Sequence, residues 1–163
     1  MTVEEVIDRV LKYPTSLVEI TGGEPLLQEP VYRLSEQLLE NGKEVMIETG
    51  GSLDITRVDP RVVLVHDLKC PDSGMLEHNR WENLKHLRRH DEIKFVISSR
   101  TDYEWARQVV IKQALPSRHV VLFSPAWQLL EPTLLARWIL SDGLPVRLQV
   151  QLHKILWGEQ RGV

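Results

Sequence analysis

Short apolar, β-prone runs recur along this chain, and stretches of helical periodicity separate several of them. Leu17-Val18-Glu19-Ile20, Val45-Met46-Ile47, Val62 to Val65, Ile93 to Ile97 and Val120 to Phe123 each read as a strand. Val3, Val6, Ile7, Val10 and Leu11 recur at helical spacing behind Thr2, which stands in capping-box register with Glu5, and Pro14 closes this segment. Val31, Leu34, Leu38 and Leu39 form a second stripe, closed by Asn41-Gly42. Further helices are expected from about Asp102 to Leu115, with Thr101 and Glu104 in capping-box register, and from about Pro132 to Leu140 before Gly143. Strands alternating with helices imply crossovers between parallel strands. The apolar runs are continuous, as a sheet covered on both faces requires. The expected fold class is therefore α/β, with mostly parallel strands. No repeat, low-complexity tract or linker interrupts residues 1–163, so a single domain is expected.

Composition narrows the function classes. Lys plus Arg total 20 against 23 for Asp plus Glu, a net charge of −3, which lacks the positive field of a dedicated nucleic-acid binder. The basic stretch Arg80, Lys85, His86, Arg88, Arg89 and His90 has no interleaved aromatics and reads as a solvated helix face. Apolar stretches are short and broken by charges, so no membrane association is expected. Met1 to Asp8 carries acids where a secretory signal carries bases, and a cytoplasmic location is the expectation. The single cysteine, Cys70, excludes an intramolecular disulfide and any multi-cysteine metal or iron-sulfur site built from this chain alone.

Ligands in parallel α/β proteins bind beyond the carboxyl ends of the strands. Those ends read Thr21-Gly22-Gly23-Glu24, then Glu48-Thr49-Gly50-Gly51, then Asp67 and Lys69, then Ser98-Ser99, Ser124, and finally Gln149, Gln151 and His153. Two glycines directly after a buried strand let a ligand touch the backbone, and Glu24 offers a carboxylate to a cation such as an ammonium; an ordinary glycine turn would look the same. Glu48 followed by Thr49-Gly50-Gly51 repeats that pattern. Asp67 and Lys69 flank Leu68 at period two, placed either to grip a zwitterion or to pair with each other. From Arg147 to Lys154 the alternation suits a half-buried strand whose polar face carries Arg147, Gln149, Gln151 and His153, with His153 a proton donor or a structural residue. The other five histidines read as surface, and the dispersed tryptophans as packing residues.

Several of these segments resemble a known family. Glu19-Ile20-Thr21-Gly22-Gly23-Glu24-Pro25-Leu26-Leu27-Gln28 is similar to the Gly-Gly-Glu motif of radical S-adenosylmethionine (SAM) enzymes. Together with Ile47 to Gly51, Asp67 to Gly74, Lys94 to Ile97, Asp102 to Ala106 and Gln149 to Gly158, it resembles 7-carboxy-7-deazaguanine synthases of queuosine and deazapurine biosynthesis. The resemblance implies an incomplete TIM-type barrel. It also implies a carbon–nitrogen lyase reaction, in which a 4Fe-4S cluster cleaves SAM and the resulting radical acts on 6-carboxytetrahydropterin. Magnesium-assisted ring contraction then gives 7-carboxy-7-deazaguanine.

By the same resemblance, Gly22, Gly23 and Glu24 would hold the methionyl amino group of SAM, Glu48 its ribose, and Asp67 with Lys69 the adenosine or carboxylate side. Thr21 and His153, and Val163 at the chain end, would face the pterin. The family's three cluster cysteines and its magnesium-binding threonine have no counterpart here, so this chain is expected to lack the first βα unit and, alone, to be inactive. An uncovered sheet edge would then favour a homodimer. Two other readings remain open: a cluster-free remnant that still binds SAM or a nucleotide, and a radical-SAM activase.

Overall fold

The computed structural model describes residues 1–158 and residue 160. They fall into two compact units, Met1–Asp67 with His78–Glu92, and Leu68–Glu77 with Ile93–Val163.

The first unit contains helix α1 (Val3–Val10), strand β1 (Leu17–Ile20), helix α2 (Pro30–Glu40) and strands β2 (Glu44–Thr49) and β3 (Val63–Asp67). The Thr2–Glu5 capping box forms in both directions, with Glu5 N–H donating to Thr2 Oγ1 at 3.2 Å and Thr2 N–H to Glu5 Oε2 at 2.9 Å. β1 pairs with β2 and β2 with β3, both in parallel. Ile20 sits opposite Ile47, Glu48 opposite Val65 and Thr49 opposite His66, so the three strands end side by side. Ile7, Val31, Leu38, Val45, Ile47, Val62 and Leu64 form the core beneath them.

Two polar groups close the other end of β3. The buried Asp91 carboxylate accepts from Leu64 N–H at 2.9 Å and Arg88 N–H at 2.7 Å. The Arg88 guanidinium donates to the carbonyls of Val58, Asp59 and Val62. Arg88 therefore belongs to the packing of this unit and departs from the solvated face expected of the basic stretch.

The second unit contains strand β4 (Glu92–Ile97, from Ile93 on), helix α3 (Arg100–Lys112), strand β5 (Val120–Pro125), helix α4 (Pro132–Asp142), strand β6 (Arg147–Leu148) and helix α5 (Leu152–Trp157). Phe95, Phe123 and Tyr103 stack edge to face at its centre, with centroids 5.4 Å and 6.0 Å apart. β5 and β6 are parallel, and the pairings described in each unit bear out the α/β expectation.

Two local expectations are corrected. α3 begins at Arg100 with Ser99, not Thr101, as its cap: Ser99 Oγ accepts from Asp102 N–H at 3.2 Å. The strand expected through His153 stops after two residues. Leu122 and Phe123 pair with Arg147 and Leu148, and Gln149 N–H reaches Phe123 O at 2.9 Å, but β5 ends at Pro125 and the ladder goes no further. Leu152, Ile155 and Leu156 instead stand at helical spacing, and Lys154 N–H donates to Gln151 O at 3.0 Å. His153 is therefore an exposed residue on α5.

Candidate functional site

In the first unit, β1 delivers Thr21, Gly22 and Gly23 to the surface beside the end of β2. Gly22 has φ +139°, a conformation that L side chains rarely adopt. A Cβ at Gly22 or Gly23 would meet nothing within 4 Å, so both backbones are open to a ligand. Thr21 Oγ1 donates to Glu48 Oε2 at 3.4 Å, joining two expected site residues. Thr21 and Gly23 also line a cleft of about 180 Å³ with Thr2, Ile20, Pro25 and Gln28.

Glu24 points toward the neighbouring loop. Its Oε1 accepts from Leu26 N–H at 3.0 Å, both oxygens lie 3.0 Å from Thr49 Oγ1, and Oε2 accepts from Gly50 N–H at 2.7 Å. Thr49, which the sequence pattern places in a polar loop, is the fully buried last residue of β2.

At the end of β3, both His66 and Asp67 are buried. The burial of His66 corrects the expectation that every histidine except His153 lies at the surface. The parallel register sets Thr49 opposite His66, and Gly51 then lies close above: its Cβ position would be 3.1 Å from His66 Cε1. Only the run Leu64-Val65-His66-Asp67, which carries a histidine inside a buried strand, could have signalled this.

In the second unit, Lys69 is half-buried in the extended segment Leu68–Cys70, which is tied to β4 by Leu68 N–H donating to Lys94 O at 2.8 Å. The turn Pro71–Ser73 follows. Asp102 holds it from α3: Oδ1 accepts from Asp72 N–H at 2.9 Å, while Oδ2 accepts from Ser98 N–H at 3.0 Å and Ser98 Oγ at 2.6 Å. Val163 lies outside the described residues.

The same unit has a cavity of about 260 Å³ beyond β5 and β6, with an apolar wall of Pro125, Ala126, Leu130, Val150 and Ile155. Trp127 and Gln151 also line it, and Trp127 Nε1 and Gln151 Oε1 are buried without hydrogen-bond partners. One donor and one acceptor in an apolar wall suit a flat heteroaromatic ring that carries the complementary groups. Sequence pattern makes Trp127 a packing residue only, because its open N–H is created by the β5–α4 loop and leaves no trace in the sequence.

Among the described residues, no group of three or more His, Cys, Asp or Glu side chains is placed to hold a metal ion. Cys70 is buried and single, so it does not fit an iron-sulfur cluster that requires several thiolates. No described helix is long and apolar enough to cross a membrane.

No protein-family model matches the chain. Individual relatives do. It is 42% identical to a 7-carboxy-7-deazaguanine synthase of Chlorobaculum tepidum, with all of this chain and 76% of the relative covered. It is 44% identical to one from Koribacter versatilis, with 100% and 79% covered. A third, from Leptospira interrogans, is 34% identical, with 100% and 74% covered. On these likenesses the chain belongs to the 7-carboxy-7-deazaguanine synthase family.

Proposed function

We propose that the strand-end loops bind SAM and a pterin for the family's radical SAM lyase reaction, which converts 6-carboxytetrahydropterin to 7-carboxy-7-deazaguanine. The observation that carries this reading is the open backbone of Gly22 and Gly23 at the end of β1, next to Glu48 and Thr21. Open backbone carbonyls are acceptors that an α-ammonium group can use. In this reading the Gly22-Gly23-Glu24 loop serves the methionyl end, and Glu48 the ribose. Asp67 and Lys69 serve the adenosine or carboxylate side, and Thr21, His153 and Val163 the pterin. The cavity with Trp127 and Gln151 suits a heteroaromatic ring, since it leaves a donor and an acceptor to be met.

SAM, when cleaved, supplies the radical that abstracts hydrogen. The residues of this chain contribute binding, orientation and exclusion of water. Neither the cluster nor magnesium finds a ligand set among the described residues, and no step is assigned through either. With one cysteine in 163 residues, this chain by itself binds the small molecules without turnover. That makes a cluster-free SAM-binding protein the second reading. The activase reading has no observation in its favour.

The reading also carries a homodimer in the cytoplasm. Leu152, Ile155, Leu156 and Trp157, all exposed on α5, suit a subunit contact. Sedimentation equilibrium giving a monomer at every concentration would reject that part.

Calorimetric titration with SAM tests the central claim. Binding is expected, and Lys69→Met should weaken it about tenfold. Absence of heat and of competition by S-adenosylhomocysteine would overturn the SAM assignment. Binding of SAM without any binding of 6-carboxytetrahydropterin would overturn the synthase assignment and leave the second reading.

A further inference from the structure

We propose that Glu24 is a positioning residue: its carboxylate clamps the Gly22–Gly23 loop to the end of β2, and it acts on ligand binding through Thr49 and Gly50 without touching the ligand. This deepens the SAM-binding reading above and rests on it for its ligand.

A carboxylate has about four acceptor sites. Here Leu26 N–H, Thr49 O–H and Gly50 N–H already converge on Glu24, and the shortest contact is the 2.7 Å bond from Gly50. An ammonium arriving at this group would have to displace donors that belong to the protein, two of them backbone N–H groups with nowhere else to go.

The clamp extends inward. Thr49 Oγ1 donates to Glu24 and accepts from Gly51 N–H at 3.3 Å. Gly51 is held in turn, because its carbonyl accepts from Arg80 N–H at 3.2 Å and from the buried Asn83 Nδ2 at 3.4 Å. Asn83 Nδ2 also donates to Leu53 O at 2.7 Å. One chain of hydrogen bonds thus runs from the Gly22–Gly23 loop through the end of β2 to the segment after β3. Its consequence is a pre-organised loop whose ligand-facing groups are the backbone atoms of Gly22 and Gly23, so affinity is gained by removing the cost of ordering them on binding.

Direct contact and clamping are separated by the Thr49 variants and by Gly50 exchange, with two probes reporting which end of the ligand is affected. SAM carries the ammonium and 5'-methylthioadenosine lacks the whole amino-acid end. Under clamping, Glu24→Gln weakens SAM by about tenfold, because an amide must turn its NH2 toward one of the N–H donors. Thr49→Val weakens SAM to a similar degree, Thr49→Ser restores wild-type affinity, and the Glu24→Gln/Thr49→Val double variant is no weaker than Glu24→Gln alone. Amide hydrogen exchange at Gly50 accelerates in both single variants. In either case 5'-methylthioadenosine keeps its affinity and reports an intact fold; a Glu24→Gln loss of SAM affinity with Thr49→Val neutral and Gly50 still protected would overturn the proposal in favour of direct contact. Should the wild-type protein bind neither probe, the SAM reading fails, and Gly50 exchange in Glu24→Gln still decides the clamp: unchanged protection refutes it.

Discussion

The carbonyl oxygen of Asp67 occupies the place where a side chain at Gly51 would begin: a Cβ built there would lie 2.2 Å from it. Gly51 also has φ +79°, so two independent constraints demand glycine at this crossing of the β2 loop over the end of β3. The close approach brings the loop that carries Thr49 and Gly50 down onto His66.

Gly51→Ala should therefore lose about 2–4 kcal/mol, combining left-handed backbone strain with a backbone clash that no rotamer relieves. Gly23→Ala is the control, since its Cβ meets nothing within 4 Å, and its stability should stay within about 0.5 kcal/mol of wild type. Urea denaturation of both variants checks the contrast, and equal midpoints would contradict it.

Asp102 should be among the most sensitive positions of the second unit. It is fully buried and accepts from Asp72 N–H, Ser98 N–H and Ser98 Oγ. Asp102→Ala strands these donors and should cost about 2–4 kcal/mol, and Asp102→Asn, which keeps one acceptor, less. Faster exchange of the Asp72 amide in both variants would show that the Lys69 loop is released with it.

Alkaline pH should weaken the protein through Tyr103. Burial, and then its hydrogen bond to Asp142 at 2.8 Å, push the phenol well above its ordinary value near 10. The unfolded chain therefore loses this proton first. The stability tied to the neutral phenol is complete below about pH 10 and declines as pH rises toward the higher folded value. Tyr103→Phe should remove this alkaline decline while lowering stability at pH 7 by about 1 kcal/mol. Melting temperatures from pH 7 to 11 test both effects.

The acid side has the opposite sign. The Arg61 guanidinium, donating to Asp59 at 2.7 Å, holds the Asp59 carboxyl below its ordinary value. Its contribution is present above about pH 4 and is lost as pH falls through the lower folded value. Asp59→Asn should flatten that part of the acid-unfolding curve, and an unchanged curve would show that the pair contributes nothing.

The placement of the candidate residues at strand ends was readable from local patterns. Glycines after an apolar run, acids at strand ends and a capping box at Thr2 are each decided within a few residues, so Thr21 to Glu24, Glu48 and α1 appear where the pattern puts them. His153 was misplaced because alternation from Arg147 onward is necessary for a strand but not sufficient. A strand also needs a partner, and β5 ends at Pro125.

By itself the sequence determined the α/β class, the parallel strands and the family, because apolar periodicity and motif order are properties of neighbours along the chain. Only the tertiary structure decided what each polar group does. Glu24 meets Thr49 and Gly50 across 25 and 26 residues, His66 is sealed beneath Gly51, and Trp127 keeps an open N–H in an apolar cavity. A hydrogen bond's partner and a side chain's burial depend on which strand ends the parallel register brings side by side. That register is set by packing of the whole unit, and it is written in no local stretch of residues.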